Sequence, residues 1–352
     1  MKPITDHELR ALWTHLWPQS RPTPLLELPA LARLTGVGRV FVKVEAQRPL
    51  GSFKSLGGMT AGVRALARAA AIEHLDTLFS SSAGRALPKL ICASEGNHGL
   101  AVAAAAHKAR TKAVVYLPKA VTETRAARIA AFGADIVRID GTYDDAVLAA
   151  EAAVKRGEGL LISDTSSDPH SIVVNDVMAG YGLMAEELIE QFHEPSRTRP
   201  THLFVQAGVG GLAAAMVEGL QPLLRAPARF LIVEPEAAPC VAHAMTLGRP
   251  TLVNGELHTS AEMLACGVAS APALQVLQRY PVTSVLVCEA ELRRGMAGLR
   301  GAGGPSTTAS GATGCAGLLR LAARPELRKS HDLAPDSIVL LIATERDLTS
   351  AG

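Results

Sequence analysis

From residue 39 onward the chain alternates short β-branched runs with longer alanine-rich or amphipathic runs, and this alternation restricts its fold more than any other feature. Arg39-Val-Phe-Val-Lys-Val-Glu45 reads as a strand, and comparable runs follow at 89–93, 113–117, 135–139, 160–163, 203–206, 230–233, 284–288 and 338–343. Helical patterns fall between them at 59–71, 100–109, 122–132, 144–156, 176–190 and 213–224. Alternating β and α segments imply an α/β fold of mostly parallel sheets with helices on both faces. Such sheets collect ligands at the carboxyl ends of their strands, so the turns there come first in any search for chemistry. The glycine-, serine- and threonine-rich stretch 301–314 reads as a loop, and 196–200 as a linker.

Composition removes several function classes. Charged residues make up 19% and the net charge is only +2, so neither a nucleic-acid partner nor a membrane surface is expected. The longest apolar stretches, such as 101–106, fall far short of the ~20 residues a spanning helix requires. The first 19 residues carry acids, histidines and prolines without an apolar run, unlike a secretory signal. Five scattered cysteines contain no CxxC pair and leave an odd thiol, which fits reduced cysteines in the cytoplasm. Eleven dispersed histidines show no ligand spacing, so no metal site is expected.

Five strand-end or turn positions carry the candidate chemistry. In Leu50-Gly-Ser-Phe-Lys-Ser-Leu-Gly-Gly58, Lys54 follows a flexible turn, with Phe53 and Leu56 as an apolar wall that disfavours its ammonium form. A neutral amine is the form that attacks a carbonyl; the alternative is a surface lysine at a helix start. Ala207-Gly-Val-Gly-Gly-Leu212 joins a strand to a helix, so its backbone N–H groups can receive a phosphate. The same turn satisfies a loose dinucleotide fingerprint through Gly208, Gly210 and Ala213, with Glu234 about 20 residues on, and a nicotinamide oxidoreductase is the rival reading. Ser94-Glu-Gly-Asn-His-Gly99 offers N–H groups and the Ser94 hydroxyl to a carboxylate, and Asn97 to a phenolic oxygen. Glu95 there suits a protonated acid that serves a leaving group, while His98 reads as a helix-cap hydrogen bond. Asp164 ends a strand as a second proton donor or a helix cap, and Thr344 ends the last strand facing a ring nitrogen or starting a turn.

Taken together these motifs resemble the pyridoxal-phosphate (PLP) enzymes of fold type II, the tryptophan synthase β-like fold, and most closely their diaminopropionate ammonia-lyase branch. The resemblance runs from Thr23-Pro-Leu25 through the Lys54, Glu95 and Asp164-Thr165 motifs. It continues through Gln206-Ala-Gly-Val-Gly-Gly211, Leu264-Ala-Cys-Gly267, Ser310-Gly-Ala312 and Thr344-Glu345. It implies two domains, each with a mostly parallel sheet flanked by helices: 1–59 with 181–352 as the larger, PLP-binding domain, and 60–180 as the substrate-side domain. It further implies that Lys54 bonds covalently to PLP, and that Gly208, Val209, Gly210 and Gly211 cradle its phosphate. Asn97 would meet its phenolic oxygen and Thr344 its ring nitrogen, while Ser94, Gly96 and Asn97 would seat the substrate carboxylate.

Lys54, Glu95 and Asp164 would then carry acid–base work in a β-elimination that turns a small amino acid, 2,3-diaminopropionate foremost, into pyruvate and ammonia, in a homodimer. A serine/threonine dehydratase, a β-replacement synthase or a non-catalytic PLP-binding protein are the alternatives on this fold. The sequence departs from the branch at Glu95, where aspartate is usual, at Ser-Ser-Asp-Pro-His-Ser171, at Ala309 and at Arg346. Those departures bear on the substrate more than on the cofactor.

Overall fold

The computed structural model describes residues 4–80, 86–94 and 96–348. In chain order it forms α1 (Asp6–Leu16), β1 (Leu25–Glu27), α2 (Pro29–Thr35), β2 (Arg39–Val44), α3 (Lys54–Ala69), α4 (Leu75–Ser80), β3 (Leu90–Ala93) and α5 (Asn97–Lys108). Next come β4 (Ala113–Pro118), α6 (Glu123–Ala130), β5 (Asp135–Ile139), α7 (Tyr143–Lys155), β6 (Leu160–Leu161), α8 (Ile172–Phe192) and β7 (His202–Gln206). The chain closes with α9 (Gly211–Leu220), β8 (Arg229–Pro235), α10 (Cys240–Leu247), α11 (Ala271–Leu277), β9 (Val282–Val287), α12 (Glu289–Gly301), α13 (Ala309–Ala322), α14 (Pro325–Ser330) and β10 (Ile338–Ala343).

Two units result. The first comprises Met1–Ser20, Lys54–Ser166 and His170–Leu183. Its sheet runs β5-β4-β3-β6, all parallel. Every residue of β3 is buried, as an interior parallel strand requires. Helices α3 and α5 approach through small residues: a Cβ added at Gly58 would lie 2.6 Å from the Ala101 Cβ, and one at Gly62 2.9 Å from the Ala105 Cβ. The glycine pair after Lys54 is therefore packing, not a breaker, and α3 begins at Lys54 itself instead of at residue 59.

The second unit comprises Arg21–Phe53, Ser167–Pro169 and Met184–Gly352. Its sheet runs β1-β2-β10-β7-β8-β9, parallel except for β1. All six residues of β10 are buried, and α13 packs on this sheet through glycine, since a Cβ at Gly314 would stand 2.9 Å from the Phe204 carbonyl oxygen. The stretch read as a loop over 301–314 is thus helical from Ala309 onward.

Both sheets have the parallel, helix-flanked form that the alternation implied. The unit boundaries differ from the expected ones, because residues 1–20 and 54–59 group with 60–180. The cause is apolar: α1 buries Leu9, Leu12, Trp13 and Leu16 and packs on α3 and α4, and the Trp17 Nε1–H reaches the Met59 sulfur at 3.2 Å. Among the described residues, no helix is long and apolar enough to cross a membrane.

Candidate active site

The segment that leads to Lys54 is held by buried charge. Arg48, itself unexposed, binds Glu45 at 2.7 Å and Glu187 at 2.6 Å, and Lys43 adds a second cation to Glu187 at 2.7 Å. Leu50 follows in the left-handed region at φ 69°, a conformation that costs a non-glycine residue about 1–3 kcal/mol and persists only where its surroundings enforce it. Those surroundings are the Arg48 cluster, the Ser52–Glu345 bridge and the Phe53 N–H bonded to the Thr344 carbonyl at 3.1 Å.

Lys54 opens α3 half-buried, and its ammonium pairs directly with the Asp164 carboxylate. This partner lies far off in sequence, so the apolar wall of Phe53 and Leu56 is only part of the lysine's environment. Asp164 stands just beyond β6, where the Ile162 N–H extends the ladder to the Ile91 carbonyl at 2.7 Å. The His98 Nε2 meets the Ile162 carbonyl at 2.9 Å. His98 is thus no helix cap: it tethers the strand end that carries Asp164. Burial lowers the proton affinity of His98, with the Asp164 charge opposing.

Burial would raise the Asp164 carboxyl, but the Lys54 ammonium, His98 and hydrogen bonding outweigh it and hold the group well below the usual carboxylate range. The Tyr143 hydroxyl lies 3.5 Å from Asp164 Oδ1. Tyr181 is pushed up to about 12, first by burial, while Lys54 opposes the shift. Lys54, Asp164, His98, Tyr143 and Tyr181 form one cluster around an amine–carboxylate pair.

The turn after β3 is only partly as expected. Ser94 Oγ accepts from the Gly96 N–H at 2.9 Å and the Gly99 N–H at 2.8 Å, so two of the amides available to a carboxylate are already engaged. Its own O–H proton remains to donate. Gly96 sits at φ +146°, which an L side chain rarely adopts, and Asn97 begins α5 half-buried. Glu95 lies outside the described residues.

In the second unit the turn from β7 to α9 carries Gly208, Val209, Gly210 and Gly211. Gly210 is left-handed at φ +99°, and a Cβ at Gly208 would come within 3.2 Å of the Cys266 sulfur and of the Met263 carbonyl. The turn opens the ten-residue helix α9, whose first N–H groups and dipole favour an anion. At the end of β10, Thr344 is buried, and its Oγ1 lies 3.3 Å from the Gln206 Nε2. Taken unit by unit, the amine at a helix start in the first is of the kind that suits an aldehyde, and the glycine turn and the neutral strand-end hydroxyl in the second are of the kinds that suit a phosphate and a ring nitrogen.

The dinucleotide reading fails at its acid. Glu234 is fully buried, and its two oxygens accept the Val241 and Ala242 N–H groups at 2.7 and 2.8 Å, so it caps α10 and is not free for a ribose. Burial pushes Glu234 up to about 8, from an ordinary 4.5. The folded state therefore holds this proton where the unfolded chain has lost it, and the associated stability declines as pH rises from about 4.5 to about 8. Glu234→Gln is expected to flatten that part of the pH–stability curve in thermal melts, and an unchanged slope would contradict this.

This chain belongs to the family of pyridoxal-phosphate dependent enzymes, whose family model matches residues 16–345. It is 33% identical over 345 residues to the diaminopropionate ammonia-lyase of Escherichia coli (strain K12), covering 93% of this chain and 85% of that protein. A probable D-serine dehydratase of Acidovorax sp. (strain JS42) is 28% identical over 323 residues, 84% of this chain and 69% of that protein. Among solved structures, E. coli diaminopropionate ammonia lyase in complex with D-serine superposes with a TM-score of 0.85 at 28% identity, over 99% of this chain and 90% of that one.

The structure brings Lys54 and Asp164 together, sets Ser94, Gly96 and Asn97 on one turn, and groups Gly208–Gly211 on another. Sequence reasoning missed Tyr143, Tyr181 and Gln206 as site neighbours. A buried amide ending an otherwise apolar strand marks Gln206; nothing local marks the tyrosines.

Proposed function

We propose that this chain is a PLP-dependent ammonia-lyase that removes the β-substituent and the α-amino group of a small amino acid, with 2,3-diaminopropionate as its substrate and pyruvate and ammonia as products. The Lys54–Asp164 pair carries the proposal, because it sets an amine against a buried proton acceptor within a chain similar to diaminopropionate ammonia-lyases. PLP held at Lys54 supplies an electron sink for the charge left at Cα. Gly208, Val209, Gly210 and Gly211 hold its phosphate, Asn97 its phenolic oxygen and Thr344 its ring nitrogen. Asn97, Gly96 and the free O–H of Ser94 orient the substrate carboxylate.

Lys54 Nζ takes the Cα proton. Asp164 is an acid whose proton affinity depends on Lys54: with the ammonium beside it the carboxylate stays ionised, and when Lys54 loses its charge burial pushes the affinity up. Asp164 can then hold a proton at Oδ2 for the departing β-substituent, and Glu95 is the second acid proposed for this step. Scattered cysteines without a CxxC pair suit a reducing compartment, and a cytoplasmic homodimer is the setting proposed.

The test compares 2,3-diaminopropionate with D-serine, L-serine and threonine at equal concentration, measuring ammonia and the 2-oxo acid formed, which is pyruvate except for the 2-oxobutanoate that threonine would give. Two ammonia per pyruvate from diaminopropionate, with the highest kcat/KM, supports the proposal. A higher kcat/KM for serine, with one ammonia per pyruvate, would replace it with a dehydratase. Asp164→Asn is expected to lower kcat for diaminopropionate by about 10²–10⁴-fold, the range of general acid–base catalysis. Wild-type turnover in that variant would remove Asp164 from the chemistry.

A further inference from the structure

β6, which leads to Asp164, lies at the margin of the first unit's sheet and pairs with β3 through Leu160 and Leu161 alone. One more ladder bond follows, from the Ile162 N–H to the Ile91 carbonyl at 2.7 Å. Ser163 Oγ then donates to the Thr165 carbonyl at 2.8 Å and accepts the Thr165 N–H at 3.2 Å, which shapes the turn around Asp164 without anchoring it to another element. The Ile162 carbonyl is held from α5, by His98 Nε2 at 2.9 Å. A carbonyl only accepts, so this nitrogen carries the hydrogen. The ring is 4% exposed, and its Nδ1 is buried without a hydrogen-bond partner among the described residues. A Cβ at Gly58 would lie 3.4 Å from that nitrogen, so α3 closes the ring's other edge. Burying a polar ring costs free energy, and a single bond offsets it here, to the last peptide before the Asp164 turn.

We infer that His98 is a positioning residue: its Nε2–H fixes the Ile162 carbonyl and so holds the Asp164 carboxylate against Lys54. The inference rests on the reading above that Asp164 serves the departing β-substituent. Lys54 begins α3 and His98 lies on α5, and these helices meet closely at Gly58 and Ala101, so both ends of the amine–carboxylate pair refer to one packed frame. A two-residue edge strand gives no comparable anchor, because segments with few buried backbone bonds open most readily. Without the His98 bond the turn is free to drift, and a misplacement of about 1 Å can cost about 10²-fold in rate.

The test pairs His98→Leu, which keeps bulk and loses the donor, with His98→Gln, whose amide N–H can reach the same carbonyl; each is checked by circular dichroism. In PLP-loaded protein with diaminopropionate, the leucine variant is expected to lower kcat by about 10–10²-fold with KM within about threefold, and the glutamine variant to restore kcat to within about threefold of wild type. Added to Asp164→Asn, His98→Leu should cost no more than about threefold further, since residues that act as a unit are not additive. A second readout, acid unfolding of the apoprotein, needs neither cofactor nor turnover. Lys54 holds the Asp164 carboxyl below its ordinary 3.8, so the stability from their pairing is present above that value and lost as pH falls through the folded one. His98→Leu should flatten that loss relative to His98→Gln, both variants lacking the imidazole and keeping Lys54, Tyr143 and Tyr181. Equal kcat for the two variants, additive losses with Asp164→Asn, or coincident acid curves would each overturn the inference. Should the leucine variant not fold, ¹⁵N NMR of wild type decides, with the His98 ring signals identified by their absence from the glutamine variant: hydrogen on Nε2 is expected, and hydrogen on Nδ1 alone overturns the tether. Wild-type protein inert to diaminopropionate, beside acid curves that separate as expected, refutes the functional reading and upholds the tether.

Discussion

Lys54→Ala is expected to lower turnover of 2,3-diaminopropionate by about 10⁴-fold or more, while PLP stays reversibly bound. Removing a positioned acid–base group alone accounts for about 10²–10⁴-fold. Lys54 is also the covalent anchor of the cofactor in this account, so its loss sits at or beyond the upper end. The phosphate and ring contacts proposed for the glycine turn and Thr344 would remain, so dialysis should remove PLP from the variant and leave it on wild type. The same change acts on Asp164. In wild type its carboxyl is held below the ordinary range, so its contribution to stability is present above the unfolded value and lost as pH falls through the folded one. Without the Lys54 ammonium that acid-side loss should fade. Turnover within about a hundredfold of wild type would refute the role of Lys54 as both anchor and base.

The second large effect is on stability. Arg48→Leu removes the cation that Glu45 and Glu187 share, leaving Lys43 as the other cation of the cluster, where the side chains of Arg48, Glu45 and Lys43 are all unexposed. Breaking a buried pair by removing one partner costs about 3–5 kcal/mol, since it strands a desolvated charge. The Arg48 carbonyl also accepts the Gly51 N–H at 2.8 Å, within the left-handed turn that leads to Lys54. Urea unfolding should therefore show a loss of about that size, with weaker PLP binding beside it. A loss below about 1 kcal/mol would mean that the cluster relaxes without its arginine.

Much of this site was legible because its signals are local. The strand–turn–helix at Gly208, the turn after β3 and the acid at residue 164 each announce themselves through alternation, glycine and position. What could not be read is pairing across distance. Nothing near Lys54 names Asp164 as its partner, and nothing near His98 points to the Ile162 carbonyl. Glycine misled in two places: the expected helix starts only after the pair at 57–58, and the expected loop runs on through 309–314, yet both segments sit inside helices. There the missing Cβ admits Tyr181, Ala101 or the Phe204 carbonyl. The Glu234 fingerprint misled in the opposite way, since its spacing fits a ribose ligand while its carboxylate is a buried helix cap. The arginine cluster gave no sign either, because its members lie up to 144 positions apart.

The most direct test of the central claim is to load the protein with PLP, reduce it with borohydride and locate the modified lysine by peptide mass spectrometry, with and without prior addition of 2,3-diaminopropionate. The account predicts one modified residue, Lys54, and its protection when substrate displaces the amine. Modification at another lysine, or none in protein that has taken up PLP, would contradict it.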